Sequence, residues 1–212
     1  MTTVYVSNKD NLPERHQNDL YVTEKNLIRA AYFDFVTTAV NRCLDIGAGD
    51  GRWGEVLLET QPMAEITGVE LEDVPVNDAF DFWYSKTDFM KWAASRRNED
   101  GEYDLIVSNP PYYIAEPIIR SAWELLTPGG TMIMLLRLAF QASIGRYEGL
   151  WNDLYPKEVS VCSRRPSFYG GGTNGTDYGI FVWEKDDWGN PVGAPRLWIT
   201  SLLMYDRGDD VG

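Results

Sequence analysis

The 212-residue chain contains few of the residues that bind metal ions or catalyse hydrolysis through sulfur and imidazole. It has two cysteines, Cys43 and Cys162, and one histidine, His16. The cysteines are far apart in sequence, so neither a zinc cluster nor a disulfide framework is expected, and a reducing compartment fits best. A single histidine without a matching nucleophile motif also argues against Ser-His-Asp and Cys-His hydrolases.

The sequence also lacks a long apolar run and an excess of positive charge. Its most apolar stretch, residues 131–136, is too short to cross a bilayer, and the polar N-terminus lacks the apolar core of a signal peptide. Lys plus Arg number 19 against 32 Asp plus Glu, and the net charge of −13 argues against binding polyanions by bulk attraction. We therefore expect a cytoplasmic protein without a membrane segment, in which any nucleic-acid contact is local.

Apolar periodicity predicts an α/β chain with one core. Hydrophobic residues make up 44% of the chain, which at this length is enough for a single domain. Strands are predicted at 42–46, 66–71, near Tyr84, 103–107, 131–138, 158–163 and 178–184, and helices at 23–40, 53–60, 115–126 and 141–151. No helix separates the last two strands, so they should pair antiparallel. The prediction is a Rossmann-like, doubly wound, mostly parallel sheet with an antiparallel last strand.

The same patterns divide the chain into three segments. Residues 1–18 show no sustained periodicity and are predicted to form an N-terminal arm. Residues 19–185 carry the alternating strands and helices of the domain. Residues 186–212 are rich in Gly, Pro and Asp and are predicted as a C-terminal extension, packed on the domain or trailing it.

A glycine-rich turn follows the first predicted strand. Residues 44–51 read Leu-Asp-Ile-Gly-Ala-Gly-Asp-Gly, and glycines at alternate positions let the backbone approach a ligand. Arg52 stands where a dinucleotide fingerprint would have its third glycine, which argues against a dinucleotide site. A tight turn in any α/β protein is the alternative interpretation.

A carboxylate ends the second predicted strand. Glu70 lies about 23 residues after Gly47, close to the separation at which an acid meets ribose hydroxyls in a doubly wound sheet. Its acidic neighbours Glu72 and Asp73 suit a sulfonium cation better than a pyrophosphate, so charge favours S-adenosylmethionine over NAD. A surface glutamate is the alternative.

The turn Ser108-Asn109-Pro110-Pro111-Tyr112 ends the predicted strand at 103–107. In a doubly wound sheet this strand lies beside the first one, so the turn should face the glycine turn across a shared crevice. The prolines fix the direction of carbonyl groups that have no competing donor at their own positions, so the turn can accept hydrogen bonds from an amine.

These motifs resemble those of class I S-adenosylmethionine-dependent methyltransferases that modify exocyclic or amide nitrogens, especially adenine N6. The resemblance covers most of residues 20–185 and rests on residues 44–51, 68–71, 87–89 and 109–112. Residues 21–27 resemble the segment that precedes the glycine motif in that family, although Thr23-Glu24 stands where Thr-Pro is usual. Residues 164–168, the glycine-rich 170–175 and 176–183 further resemble phage and bacterial DNA adenine methyltransferase-like proteins.

The resemblance implies a catalytic turn and a cofactor site. The Asn109 side-chain oxygen and the Pro110 carbonyl would accept hydrogen bonds from the target amino group, so that its nitrogen attacks the methyl group in line. Tyr112 would stack on the planar substrate, with wall packing as the alternative. The implied catalytic residues are Asn109, Pro110, Pro111 and Tyr112. The implied cofactor-binding residues are Tyr21, Thr23, Asp45, Gly47, Ala48, Gly49, Glu70, Leu71, Asp88 and Phe89.

Within that cofactor site, the resemblance assigns Asp45 and the glycine turn to the methionine part and Glu70 to the ribose. Asp88 and Phe89 are assigned to the adenine, although ordinary loop and core roles would equally explain them. No metal is implied.

Three further residues are implied on the substrate side: Phe168, Arg137 and Arg165. Phe168 would hold an extruded base, with a core phenylalanine as the alternative. The basic residues Arg137, Arg146, Lys157, Arg164 and Arg165 outnumber the acids of the same segment and predict a local basic patch, although a solvated face would give the same count.

The leading interpretation is a site-specific methyltransferase for adenine N6 in nucleic acid, with DNA ahead of RNA, in a bacterial or phage-infected cytoplasm. A protein glutamine N5-methyltransferase has a similar Asn-Pro-Pro-Tyr turn, and the acidic net charge favours it. A catalytically inactive binding module is the third interpretation. The short chain is compatible with a protein partner that supplies specificity.

Overall fold

The computed structural model describes residues 22–96, 101–166, 168, 175–193 and 199–203. Eight strands form one sheet in the order β3-β2-β1-β4-β5-β7-β6-β8. The strands are β1 (Arg42–Ile46), β2 (Glu65–Val69), β3 (Phe82–Tyr84), β4 (Tyr103–Ser108), β5 (Leu126–Arg137), β6 (Glu158–Cys162), β7 (Tyr178–Glu184) and β8 (Ile199–Leu203). The helices are α1 (Lys25–Phe35), α2 (Arg52–Thr60), α3 (Phe89–Ala94), α4 (Ala115–Leu125), α5 (Ile144–Glu148) and α6 (Leu150–Asp153).

The first five strands are parallel and β7 is antiparallel to both of its neighbours. β1 lies between β2 and β4, and β3 and β5 extend the parallel set on either side. β7 inserts between β5 and β6, with Thr131 opposite Glu184 at one end and Arg137 opposite Tyr178 at the other. β8 then pairs parallel with β6. The predicted doubly wound, mostly parallel sheet is confirmed, and the strand predicted as the last one, 178–184, is antiparallel as expected; β8, which was not predicted, follows it.

Two apolar layers cover the two faces of this sheet. On one face, α1 and α2 pack on β1 through residues such as Leu27, Leu57 and Cys43. On the other face, α3 and α4 pack through residues such as Trp92 and Ile119. Successive side chains of β1 alternate between the two layers, as the period of a strand requires. Both faces are therefore buried, which leaves the strand ends as the place for a site.

Three predicted elements have different bounds in the structure. Helix α1 ends at Phe35 because Val36 is extended, and the β-branched run at 36–38 disfavours further helix. Strand β5 begins at Leu126 rather than at residue 131, but its pairing with β4 passes from Leu126 directly to Thr131, so the Thr-Pro-Gly-Gly segment forms a bulge in which Gly129 has a φ of +76°. The single helix predicted at 141–151 is two short helices separated at Gly149, whose backbone is non-helical.

Parts of the predicted domain organisation lie outside the described residues. These include the arm at 1–18, Tyr21 and most of the extension after residue 193. Among the described helices, none combines the length and apolar character needed to cross a membrane. The described residues also contain no group of three or more His, Cys, Asp or Glu side chains that could hold a metal ion.

Candidate active site

The two turns predicted to share a crevice meet at the carboxyl edge of the parallel strands. Ile46 at the end of β1 lies opposite Ser108 at the end of β4, and the buried Ser108 hydroxyl donates to the Ile46 carbonyl across 2.6 Å. One hydrogen bond thus joins the residues from which both turns begin. Gly47 and Asn109 line the same cavity, which has a volume of about 400 Å³. The predicted convergence is confirmed.

The cavity combines an apolar wall with an acidic rim. Its apolar lining consists of Ile46, Val69, Leu71, Phe89, Met90, Pro111, Tyr113, Ile114 and Ile118. Its carboxylates are Glu70, Glu72 and Asp88. An apolar wall with a few placed polar groups is typical of a small-molecule site and suits a flat heterocycle with hydroxyl groups and a positive charge.

The Glu70 carboxylate is held in place by backbone groups. The Gly49 N–H donates to Oε2 and the Glu72 N–H donates to Oε1, each across 2.8 Å. Glu70 is only 6% exposed, so these two charge-assisted bonds are shielded from water. Each oxygen keeps a further lone pair that could accept from a hydroxyl group.

The glycine turn has the backbone that its sequence predicts. Gly47 and Gly49 have φ values of +67° and +56°, in the left-handed region where other residues are strained. A β-carbon on Gly47 would meet no atom within 4 Å, so the space beside this residue is open. The glycines are therefore required by backbone conformation, and they leave room for a ligand against the turn.

Asp45 is the most unusual polar residue near the site. It is completely buried, and neither carboxylate oxygen has a hydrogen-bond partner among the described residues. Burial raises its pKa well above the usual range, and the nearby charges of Glu70 and Asp50 raise it further. A buried carboxylate without a partner is costly, and a cationic ligand group would offset that cost.

Asp88 and Phe89 line the cavity and also have structural roles. Asp88 caps α3, with its Oδ1 accepting from the Met90 N–H at 2.8 Å and the Lys91 N–H at 3.3 Å. Phe89 is 8% exposed and packs with Trp92 in the core on this face of the sheet. Asp88 and Phe89 thus have the ordinary loop and core roles that the sequence left open, and both also line the cavity.

Asn109 is held at both ends of its side-chain amide. Its Nδ2 donates to the Thr23 hydroxyl across 3.2 Å, and the Tyr112 hydroxyl donates to its Oδ1 across 3.1 Å. Thr23 and Asn109 line a narrow recess that Gly47 and Gly49 also border, adjoining the larger cavity. Thr23 therefore lies next to the side-chain amide of Asn109 and does not line the larger cavity.

The predicted substrate residues Arg137 and Phe168 lie in one row with Tyr112. The Arg137 guanidinium is 4.7 Å from the centre of the Tyr112 ring, and Tyr178 lies 5.8 Å from that ring, between Tyr112 and Phe168. Phe168 is 4% exposed and belongs to the core, as its alternative interpretation expected. Tyr178 packs against it edge to face, with the ring centres 5.1 Å apart.

Several basic side chains of the predicted basic patch, within residues 137–168, already have partners inside the protein, so fewer are available to bind nucleic acid than the charge count suggested. Arg165 pairs with Asp177 across 2.8 Å, and Lys157 pairs with Glu184. Arg146 lies over the Phe140 ring, where its Nε donates to the Phe140 carbonyl. Much of the local positive charge is therefore engaged within the protein, which the sequence count could not reveal.

Two aromatic residues near the site were not predicted from the sequence. Tyr178 links Tyr112 to Phe168, and the only signal was its place at the start of a predicted strand. Tyr113 lines the cavity with its side chain 78% exposed. Its position directly after the Asn-Pro-Pro-Tyr turn was the signal that could have identified it.

The profile of the methyltransferase small domain family matches residues 31–143, which is more than half of the chain. The chain belongs to the methyltransferase small domain family. S-Adenosylmethionine is accordingly its cofactor. The described residues fit this cofactor, since an open glycine turn and the fixed Glu70 line the cavity, and Asp45, whose carboxyl group has no partner among the described residues, is buried in the strand that leads into the turn.

Curated relatives of this family member match a limited part of it. The tRNA1(Val) (adenine(37)-N6)-methyltransferase of Escherichia coli O157:H7 is 35% identical over 85 residues, which cover 35% of this chain and 34% of that enzyme. The enzyme of the same name from Aeromonas hydrophila is 34% identical over 89 residues, which cover 39% and 37% of the two chains. The chain thus spans about a third of the length of these relatives.

Solved structures share the fold of this family member. A Listeria monocytogenes protein described as a class I S-adenosylmethionine-dependent methyltransferase has a TM-score of 0.60 at 13% identity, covering 92% of this chain and 69% of its own. The methyltransferase subunit of a type I restriction-modification system from Streptococcus thermophilus has a TM-score of 0.59 at 13% identity, covering 86% and 47%. At these identities the similarity concerns the fold alone.

Proposed function

We propose that the chain transfers a methyl group from S-adenosylmethionine to the N6 amino group of an adenine in nucleic acid. The observation that carries this proposal is the shared cavity, which is lined both by the acidic rim and by Asn109 and Pro111 of the Asn109 turn. This arrangement supports the proposal because the pocket would suit a cationic methyl donor and the turn beside it would suit an amine.

The proposed acceptors are the Asn109 Oδ1 and the Pro110 carbonyl. Oδ1 accepts from the Tyr112 hydroxyl, and a carbonyl oxygen has two lone pairs, so a target amino N–H would be a second donor to it. Two acceptors on one amino group hold its hydrogens away from the reaction path and localise the nitrogen lone pair. The rate then arises from positioning and electrostatics, so a strong base is unnecessary.

The cofactor residues divide along the cavity. When bound, S-adenosylmethionine supplies an electrophilic methyl group. We assign its methionine part to Asp45 and the backbone of the glycine turn, including Ala48, and its ribose hydroxyls to Glu70. We assign its adenine to Leu71, Asp88 and Phe89, which together offer apolar contact and a carboxylate acceptor.

The choice between RNA and DNA is the finer part of the proposal. The similarity to enzymes named as tRNA adenine-N6 methyltransferases supports RNA. The expectation of DNA rests on the resemblance of residues 164–168 and 176–183 to phage and bacterial enzymes. The net charge of −13 and the paired basic residues favour a small contact area with the nucleic acid, whether it is RNA or DNA.

A transfer assay with competing acceptors tests the proposal. The protein is incubated with methyl-labelled S-adenosylmethionine and with transcribed tRNA, RNA oligonucleotides, single- and double-stranded DNA, or a glutamine-containing peptide. Digestion and mass spectrometry then distinguish N6-methyladenosine from N6-methyl-2′-deoxyadenosine. Asn109→Ala is the inactive control, and Asn41→Ala, at an exposed position outside the site, is its matched control.

Each result of this assay has a definite meaning. Methylated adenine in RNA or DNA that depends on Asn109 supports the proposal and identifies the substrate class. Transfer only to the peptide would replace it with glutamine methylation. Cofactor binding without transfer to any acceptor would favour a binding module.

A further inference from the structure

Thr23 lies far from Asn109 in sequence but contacts it directly. Its side chain is buried, with 4% exposure, and its hydroxyl oxygen accepts from the Asn109 Nδ2 across 3.2 Å. Thr23 stands just before α1, whereas Asn109 follows β4. The contact therefore joins the segment that leads into the first helix to the proposed catalytic turn.

The Asn109 amide needs a defined orientation to serve as an acceptor. Its oxygen and nitrogen ends are similar in size but opposite in hydrogen bonding, and a rotated amide would present N–H groups to the target amine. A single hydrogen bond allows the amide plane to swing about that contact. Contacts at opposite ends, to Thr23 and Tyr112, restrain the whole plane.

We propose that Thr23 is a positioning residue for methyl transfer, which holds the Asn109 amide so that its oxygen accepts from the target amino group. The inference rests on the proposed function. It also gives Thr23 a different role from the cofactor contact expected from the sequence. Thr23 does not line the larger cavity that contains Glu70, Asp88 and Phe89; it lines the narrow recess beside the glycine turn, where its hydroxyl oxygen accepts from Asn109.

Two substitutions separate this role from simple packing. Thr23→Val keeps the branched shape of the side chain but removes the acceptor, whereas Thr23→Ser keeps the hydroxyl and removes the methyl group. We expect Thr23→Val to lower kcat about ten- to a hundredfold, because small misplacements of catalytic groups are costly. The Kd of S-adenosylmethionine should stay within about threefold of the original value, and Thr23→Ser should retain kcat within about threefold.

A second measurement needs no methyl acceptor. Hydrogen exchange of the Asn109 side-chain amide is followed by ¹⁵N nuclear magnetic resonance, with its signals assigned by their loss in Asn109→Asp. The exposed Asn41 supplies the reference rate. We expect slower exchange at Asn109 than at Asn41 in the original protein and in Thr23→Ser, and about tenfold faster exchange in Thr23→Val.

These readouts distinguish failure of the inference from failure of the proposed function. Exchange at Asn109 as fast as at Asn41 would overturn the inference, whatever the activity. Weaker cofactor binding with normal kcat in Thr23→Val would make Thr23 a cofactor ligand. An equal loss of kcat in Thr23→Val and Thr23→Ser would make it a packing residue. A protein that methylates no acceptor would refute the proposed function, while the exchange rates still decide whether Thr23 restrains the amide.

Discussion

Replacing Glu70 with alanine tests the cofactor half of the site most directly. The carboxylate is 6% exposed and accepts two backbone N–H groups at 2.8 Å, so its position is fixed before any ligand arrives. Hydrogen bonds to a charged group contribute roughly 1.5–3 kcal/mol. If Glu70 binds the ribose hydroxyls, Glu70→Ala should weaken S-adenosylmethionine binding by that amount, or about 10- to 150-fold in Kd.

The same change should also destabilise the free protein. It removes the acceptor of the Gly49 and Glu72 N–H groups, and an unsatisfied buried donor costs about 1–3 kcal/mol. Titration calorimetry at a temperature well below the melting transition measures the Kd, and thermal unfolding measures the second effect. The two effects must be separated because an unfolded fraction would mimic weak binding.

A neighbouring acid provides the matched control. Asp73 lies on the same loop, but its side chain is 70% exposed and its ion pair with Lys86 is at the surface. Asp73→Asn should change cofactor binding by less than about 0.5 kcal/mol, since exposed ion pairs contribute little. A Glu70→Ala variant that is folded and binds with unchanged Kd would remove Glu70 from the cofactor site.

Three further predictions concern the acceptor, a buried acid and a helix contact. Asn109→Ala should lower turnover strongly with a nearly unchanged cofactor Kd, and the reverse pattern in steady-state kinetics and calorimetry would contradict its role. Burial raises the pKa of Asp45 in the folded state, so the free energy of unfolding should fall as pH rises from about 4 towards that raised pKa. Asp45→Asn should lose this pH dependence in melting curves. The same pH dependence in the original protein and in Asp45→Asn would refute the prediction. Gly54→Ala would place a β-carbon 2.3 Å from the Phe80 ring and should destabilise by about 1–3 kcal/mol in urea unfolding, whereas an unchanged midpoint would show that the ring yields freely.

Local sequence patterns predicted the elements that lie in the middle of the sheet. Arg42–Ile46 and Tyr178–Glu184 match the predicted bounds because each is a short apolar run bordered by polar or glycine-rich sequence. The helix at 141–151 was predicted as one piece because its apolar spacing is continuous. Ser143 begins a new helix by capping it, and Gly149 interrupts the path, which periodicity alone does not show.

Two parts of the candidate site were predictable, because in each a single short segment contains the motif and also follows a strand that determines where the motif lies in the sheet. The glycine turn and the Asn109 turn each follow a strand, and strand order brings them together. Contacts between distant segments were not predictable. The pairing of Thr23 with Asn109 and the row formed by Tyr112, Tyr178 and Phe168 depend on tertiary packing that no local spacing encodes.

The reversed direction of β7 has a consequence for how the protein can diverge. Because β7 runs against β5, its first residue, Tyr178, lies beside Arg137 at the end of β5 where the parallel strands also finish. Under the proposed function, the acceptor side would therefore draw on a late part of the chain through the contact of Tyr178 with Tyr112, while the methyl-donor side would be built from β1, β2 and their turns. Because Tyr178 is 1% exposed and belongs to the core, a substitution there would reach the Asn109 turn through its packing on Tyr112.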